Sequence, residues 1–85
     1  MNMQDRQAEI TAQREEWSDK LKYVPGSKRN GYAHFESIIE VLAGDPSDDV
    51  LLNFADDWGW NFGGEIRRRW KEDDRRFVRV KVYTD

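Results

Sequence analysis

The side chains in this sequence that could do chemistry are mostly carboxylates, and two pairs of them are adjacent in the chain. Asp48 and Asp49 form one adjacent pair and Asp56 and Asp57 form another. Such pairs can hold Mg²⁺ or act as acid and base. Helix capping explains the first pair, because carboxylates favour the first helical turn. The second pair would point about 100° apart on a helix, so it does not converge on one ion.

Other groups that support catalysis or cofactor binding are sparse. His34 is the single histidine and there is no cysteine, so a zinc site would need carboxylates for its remaining ligands, which is uncommon. The sequence has neither an EF-hand loop nor a glycine-rich phosphate-binding motif. We therefore expect no catalytic residues, no metal and no cofactor. A small metal-dependent enzyme built on acidic helices is the least favoured functional hypothesis.

Charge is segregated along the chain into two blocks of opposite sign. Residues 30–66 contain eight carboxylates and neither lysine nor arginine, whereas residues 67–82 contain eight basic side chains interrupted by three acidic ones. Such asymmetry marks an interaction surface, or it shows two segments that pair within the molecule or across a dimer. The acidic block consists of Glu36, Glu40, Asp45, Asp48, Asp49, Asp56, Asp57 and Glu65, and the basic block of Arg67, Arg68, Arg69, Lys71, Arg75, Arg76, Arg79 and Lys81.

The apolar spacing predicts about three helices, of which two lie in the first half of the chain. The first covers residues 4–22, with residues 1–5 expected to fray, and a turn-rich loop follows over residues 23–31. The second covers residues 32–43, and Gly44 is placed to cap its C-terminus. The stripes behind these predictions are Ile10, Trp17 and Leu21 in the first helix, and Tyr32, Phe35, Ile39 and Leu42 in the second.

The third helix has the clearest start signal. Asp45 is a good N-cap, and Pro46 suits the first helical turn. We expect a helix over residues 46–61, a break at Gly63 and Gly64, and then a short helix or irregular segment over residues 65–73. The alternative is one kinked helix that continues to residue 72. The apolar residues that recur at every fourth position are Val50, Phe54, Trp58, Phe62, Ile66 and Trp70.

A C-terminal strand completes the predicted fold. Val78, Val80 and Val82 alternate with polar residues over residues 76–83, which is the pattern of a half-buried strand. A lone strand leaves backbone groups unpaired, so it needs a partner in segment 20–24, in a second copy or in another protein. The fold class is therefore a small α+β domain, with a two- or three-stranded sheet or strand pairing across a dimer.

Size and composition favour one domain over residues 1–85. The chain contains no apolar run long enough to span a bilayer and no signal-peptide pattern. We therefore expect a cytoplasmic protein that does not bind membranes. Its 36% of charged residues lean toward disorder, but four Trp, three Tyr and four Phe supply large areas for a core.

The leading functional hypothesis is a small non-enzymatic protein that binds or inhibits a host protein or protein complex. Short, acidic, cysteine-free chains without catalytic motifs are compatible with the inhibitors that phages and mobile elements direct against host defence or nucleic-acid-processing systems. Anti-CRISPR and anti-restriction proteins are examples, and some present carboxylates where phosphates would lie. The likeness is one of type and rests on no motif. The expected partner-binding residues are Glu36, Glu40, Asp56, Asp57 and Trp60.

The alternative is a nucleic-acid-binding accessory protein that uses the Arg-rich segment 67–81. Clustered basic side chains contact phosphates in such proteins. The net charge of -3 argues against this alternative. Either function is compatible with a monomer or a homodimer. The expected contact residues are Arg67, Arg68, Arg69, Lys71, Arg75 and Arg76.

Overall fold

Five antiparallel strands form one sheet, α2 packs on one of its faces and α1 packs against α2, which makes this a small α+β fold. The computed structural model describes residues 3–56, 59 and 62–85. Helices and strands in this part of the chain are α1 (Met3–Trp17), β1 (Leu21–Tyr23), β2 (Arg29–Gly31), β3 (His34–Val41), α2 (Asp48–Ala55), β4 (Gly64–Glu72) and β5 (Arg75–Tyr83).

The strand order places the last strand near the middle of the sheet. The order is β1-β3-β5-β4, and β2 pairs with β3 on the same edge as β1. β5 therefore lies between β3 and β4, and both of its edges carry ladder hydrogen bonds. The opposite edge of the sheet is the long strand β4. It joins β5 through a two-residue turn at Asp73 and Asp74.

The hydrophobic core lies between α2 and one face of the sheet, here called the helix-covered face. α2 contributes Val50, Leu51 and Ala55, all of them buried. Each fully buried aliphatic side chain contributes about 1.5–3 kcal/mol, so this layer is the main source of stability. The strand residues that complete it alternate along the chain, as they must when one sheet face is buried: they are Phe35, Ile39, Val41, Val78, Val80 and Val82, with Leu21 from β1.

The structure corrects the start and the end of the third predicted helix. Asp45 is not the N-cap; Ser47 is, and its Oγ accepts a hydrogen bond from the Val50 amide at 3.3 Å. The helix ends at Ala55 instead of residue 61, and the Asp56 amide donates to the Leu52 carbonyl at 3.0 Å. Trp58 lies outside the described residues.

The predicted helix over residues 32–43 is wrong, because most of this segment forms strand β3. Phe35 and Ile39 are four residues apart, a spacing that fits one helix face and also one strand face. A helix would bury the other two residues of the predicted stripe as well. Tyr32 is instead 94% exposed and Leu42 is 51% exposed, as the strand requires. Gly44 has a φ of 78°, but the segment before it is strand β3, so the prediction that it caps a helix is wrong.

The segment over residues 65–73 is neither a helix nor irregular, because residues 64–72 form strand β4. A register shift between Ile66 and Arg68 interrupts the alternation of side chains, so the sequence shows no period of two. Gly64 does not break a helix. A Cβ at this position would overlap the Lys81 carbonyl oxygen of the neighbouring strand, so glycine permits the close approach of the two backbones.

The prediction of a C-terminal strand is confirmed, since β5 contains all of residues 76–83. Its partners differ from the predicted ones. Segment 20–24 does contain a strand, β1, but that strand pairs with β3. Pairing of β5 with a second copy is also wrong, because β3 and β4 occupy its two edges. In the described part of the chain, no helix has the length and apolar character needed to cross a membrane.

Candidate binding surface

The second face of the sheet, here called the open face, contains the strand residues that alternate with the core. On the other side α2 packs on the valines of β5, and α1 packs against α2 with its Trp17 against the core. Within the described part of the chain this leaves the open face free of helices. The face combines charged and aromatic side chains: Arg75, Phe77, Arg79, Lys81 and Tyr83 from β5, Glu65, Arg68, Trp70 and Glu72 from β4, and His34, Glu36, Ile38 and Glu40 from β3.

Aromatic rings and cations alternate on this face. Trp70 stacks on its cross-strand partner Phe77, with ring centroids 5.6 Å apart and planes 21° apart. The Arg68 guanidinium lies 5.1 Å from the Trp70 ring centroid, and the Lys81 ammonium lies 5.4 Å from that of Tyr83. Phe77 is nearly buried at 6% exposure, whereas Trp70 and Tyr83 stay partly exposed. The exposed aromatic surface is therefore flanked by positive charge.

One ion pair on the open face uses both oxygens of its carboxylate within the protein. Two nitrogens of Arg75 donate to the two carboxylate oxygens of Glu40, each at 2.9 Å. The hydrogen bonds from Arg75 lower the pKa of the Glu40 carboxyl, against the opposing effect of its burial. Hydrogen bonding to Glu40 likewise raises the pKa of Arg75. Glu40 is 9% exposed. Its carboxylate therefore stabilises this end of the sheet and is not available to bind a partner.

A second arginine is held more loosely. Arg67 lies at the register shift in β4 and donates to Glu65 at 2.7 Å, and its Nε lies 3.9 Å from an oxygen of Glu36. The hydrogen bond to Glu65 raises the pKa of Arg67. Half of the Arg67 side chain is exposed, and exposed ion pairs contribute little to stability.

On the open face of β4 and β5, three cations make no ion pair with a described carboxylate. They are Arg68, Arg79 and Lys81, and they lie on adjacent strands. Arg68 and Arg79 are direct cross-strand partners, so two like charges face each other in the ladder. Such a pair destabilises a sheet unless an anion compensates it. Lys81 follows Arg79 on the same face, about 7 Å further along β5, and its cross-strand neighbours are Glu36 and Glu65. The uncompensated charge therefore lies mainly at Arg68 and Arg79.

The structure divides the predicted contact residues between the two faces of the sheet. From the Arg-rich set, Arg67, Arg68 and Arg75 lie on the open face, whereas Arg69, Lys71 and Arg76 lie on the helix-covered side. From the acidic set, Glu36 and Glu40 lie on the open face. Asp56 caps the C-terminus of α2 on the opposite side, and Asp57 and Trp60 lie outside the described residues.

The acidic and basic blocks pair with each other within the molecule, which is one of the two interpretations that the sequence left open. Asp48 accepts a hydrogen bond from Arg69 at 2.6 Å, and Asp45 accepts one from Arg76 at 3.3 Å. Together with Arg75–Glu40 and Arg67–Glu65, these contacts neutralise much of the acidic block. The described carboxylates therefore do not form one continuous acidic surface.

Sequence reasoning missed four residues of the open face: Trp70, Arg79, Lys81 and Tyr83. The four-residue spacing of Ile66 and Trp70 indicates a helical stripe instead of a strand. The valine alternation does place Arg79 and Lys81 on one side of a strand, but the sequence gives no sign that Arg68 lies opposite Arg79. That information depends on the register shift in β4.

No cluster of three or more metal-ligating side chains occurs among the described residues. Comparison with protein-family models finds no match. Neither the curated proteins nor the solved structures give a significant match.

Proposed function

We propose that this chain is a non-enzymatic binding protein whose open face binds single-stranded nucleic acid. The observation that carries the proposal is the cross-strand pair of Arg68 and Arg79, which has no carboxylate partner among the described residues. A phosphate between two guanidinium groups accepts charge-assisted hydrogen bonds from both. Binding would therefore relieve a repulsion that the free protein sustains.

The neighbouring aromatic rings supply the second part of a nucleic-acid interface. Trp70 lies beside Arg68, and Tyr83 beside Lys81, so each partly exposed ring has a cation next to it. Stacking of a base on such a ring contributes about 1–3 kcal/mol and tolerates any sequence. A single strand can splay its bases onto an open sheet, whereas paired bases are not available for stacking. This arrangement favours single-stranded over duplex nucleic acid.

The test is fluorescence anisotropy of a labelled single-stranded oligonucleotide, with Arg79→Ala as the first variant. We expect its affinity to fall about tenfold or more, while its thermal stability stays level or rises because the Arg68–Arg79 repulsion is gone. A residue that merely supports the fold would lower both quantities.

Lys71→Ala is the matched control, because Lys71 lies on the same strand as Arg68 but points to the opposite side. Its affinity for the oligonucleotide should match that of the unmodified protein. Equal losses in Arg79→Ala and Lys71→Ala would show that the effect is general electrostatics, and the assignment of the open face would then fail.

A protein partner is the second candidate, and one observation favours it. Glu36 lies in the middle of the open face, and its carboxylate is no closer than 3.9 Å to Arg67. It is therefore an acidic group that a basic groove of another protein could bind, as in an inhibitor of a host nucleic-acid-processing or defence system. Charge reversal by Glu36→Lys should then slow association with that partner, and high salt should reduce the effect.

A tagged-protein capture with and without nuclease separates the two candidates. A stoichiometric protein that survives nuclease and is lost with Glu36→Lys supports the second candidate. Captured material that disappears after nuclease, and with Arg79→Ala, supports the first.

A further inference from the structure

A groove lies on the helix-covered side, at the end of the sheet that α2 leaves uncovered. Its volume is about 320 Å³, which is within the range of small-molecule sites. The apolar part of its lining includes Val41, Pro46 and Val78 together with Trp70 and Phe77, and the charged part includes Arg69, Lys71 and Arg76. An apolar floor with a few convergent charges is the usual composition of a ligand pocket.

The register of the strands explains why the three cations converge. Lys71 lies directly opposite Arg76 in the ladder, and Arg69 lies two residues from Lys71 on the same face of β4. These positions are about 5–7 Å apart. A single anionic group is therefore within reach of more than one of them.

Two of these cations already form ion pairs with carboxylates of the chain itself. Arg69 donates to Asp48 at 2.6 Å, and Arg76 donates to Asp45 at 3.3 Å. The Asp45 side chain is fully exposed and that of Asp48 is mostly exposed, so both pairs are weak and easily exchanged. Arg76 also donates to the Gly44 carbonyl at 2.7 Å, which keeps its guanidinium in place when Asp45 moves away.

We propose that this groove binds a small organic carboxylate with an apolar body, and that Asp45 and Asp48 occupy the anion positions in the free protein. The apolar body lies on Val41, Pro46 and Val78. The carboxylate takes the place of an aspartate at Arg69 or Arg76 and gains Lys71, which has no carboxylate partner among the described residues. The cations of this site point to the opposite face from Arg68, Arg79 and Lys81, so the proposal does not depend on nucleic-acid binding.

The probe is 2-naphthoate, titrated by calorimetry into the full chain. Two variants make opposite predictions: Asp45→Asn removes an internal competitor and should tighten binding roughly two- to fivefold, and Lys71→Glu should weaken it about tenfold or more. A residue with a purely structural role cannot produce a gain of affinity when it is removed. Lys28→Glu, in the loop between β1 and β2 and outside the groove lining, is the control and should leave binding unchanged.

Neutral 2-naphthol tests whether the charge is needed, and it should bind at least about tenfold more weakly than the carboxylate. The melting temperature of each variant shows whether it is folded. The proposal is overturned if 2-naphthoate does not saturate the unmodified protein, if 2-naphthol binds equally well, or if folded Asp45→Asn shows no gain. None of these results bears on oligonucleotide binding, so the two proposals fail separately.

Discussion

One residue of the turn between β4 and β5, Asp73, has a strained backbone conformation. Asp73 has a φ of 56°, whereas the φ of its neighbour Asp74 is not positive. A two-residue hairpin turn commonly requires a positive φ at its first position, where glycine is preferred. Asp tolerates this conformation better than most residues, but glycine adopts it without the steric cost of a Cβ.

We expect Asp73→Gly to stabilise the protein by roughly 0.5 kcal/mol, since the relief of strain exceeds the entropy that glycine adds to the unfolded chain. Asp74→Gly should instead destabilise it by a similar amount, because only the entropy term applies there. Urea denaturation of the two variants measures both values. A loss of stability in both would show that Asp73 is unstrained.

The Glu40–Arg75 pair predicts a specific dependence of stability on pH. Arg75 lowers the pKa of Glu40 below its ordinary value of 4.5, so the folded state binds this proton less readily than the unfolded state does. The resulting stabilisation is fully present above pH 4.5 and is lost as the pH falls through the lower pKa of the folded state. The difference in unfolding free energy between the unmodified protein and Glu40→Gln should therefore shrink in acid.

Arg75→Met is the informative companion variant. Without Arg75, burial of Glu40 outweighs the weaker attraction from Lys22 and raises the pKa of the carboxyl. Stability relative to Glu40→Gln should then increase as the pH falls, which is the opposite sign. The same pH profile in Arg75→Met and the unmodified protein would contradict the role given to this pair.

At the scale of single elements, α2 depends on its N-cap because it has few turns. Ser47 accepts from the Val50 amide, and replacing such a cap by alanine costs about 1 kcal/mol. We therefore expect Ser47→Ala to lower the unfolding free energy by about that amount. Asp45→Ala should change it by less than about 0.5 kcal/mol, because it removes an exposed ion pair and no cap. The reverse ranking in thermal melts would restore Asp45 as the cap.

How far the sequence predicts each element depends on whether its pattern has one explanation. β5 was predictable because valines at every second position fit a strand and no helix. β3 was not, because Phe35 and Ile39 satisfy both periods, although the β-branched Ile38, Ile39 and Val41 favour a strand. β4 was hidden by its register shift and by consecutive arginines. For the candidate site, the sequence predicts that basic side chains cluster over residues 67–82. It does not predict which face of the sheet each cation lies on, because that depends on the strand register.

At the scale of the whole molecule, the charge distribution sets the expected salt dependence of nucleic-acid binding. The chain has a net charge of -3, so attraction must come from the local cations of the open face. Contacts from Arg68, Arg79 and Lys81 with three phosphates predict a slope of about -2 for log K against log salt. Arg79→Ala should make the slope shallower by about 0.7. A slope near zero in an oligonucleotide titration would exclude phosphate recognition by this face.

The position of β5 has a consequence for how the chain acquires its structure during synthesis. β5 is the last of the five strands to leave the ribosome, yet β3 and β4 both depend on it for their ladder bonds. A nascent chain that ends before β5 holds a β3 whose Phe35, Ile39 and Val41 have no sheet neighbour on that side. Such unpaired strands are recognised by chaperones or aggregate. The β4–β5 hairpin forms from residues that are close in sequence. Its pairing with β3 is then the late, long-range step that completes the sheet.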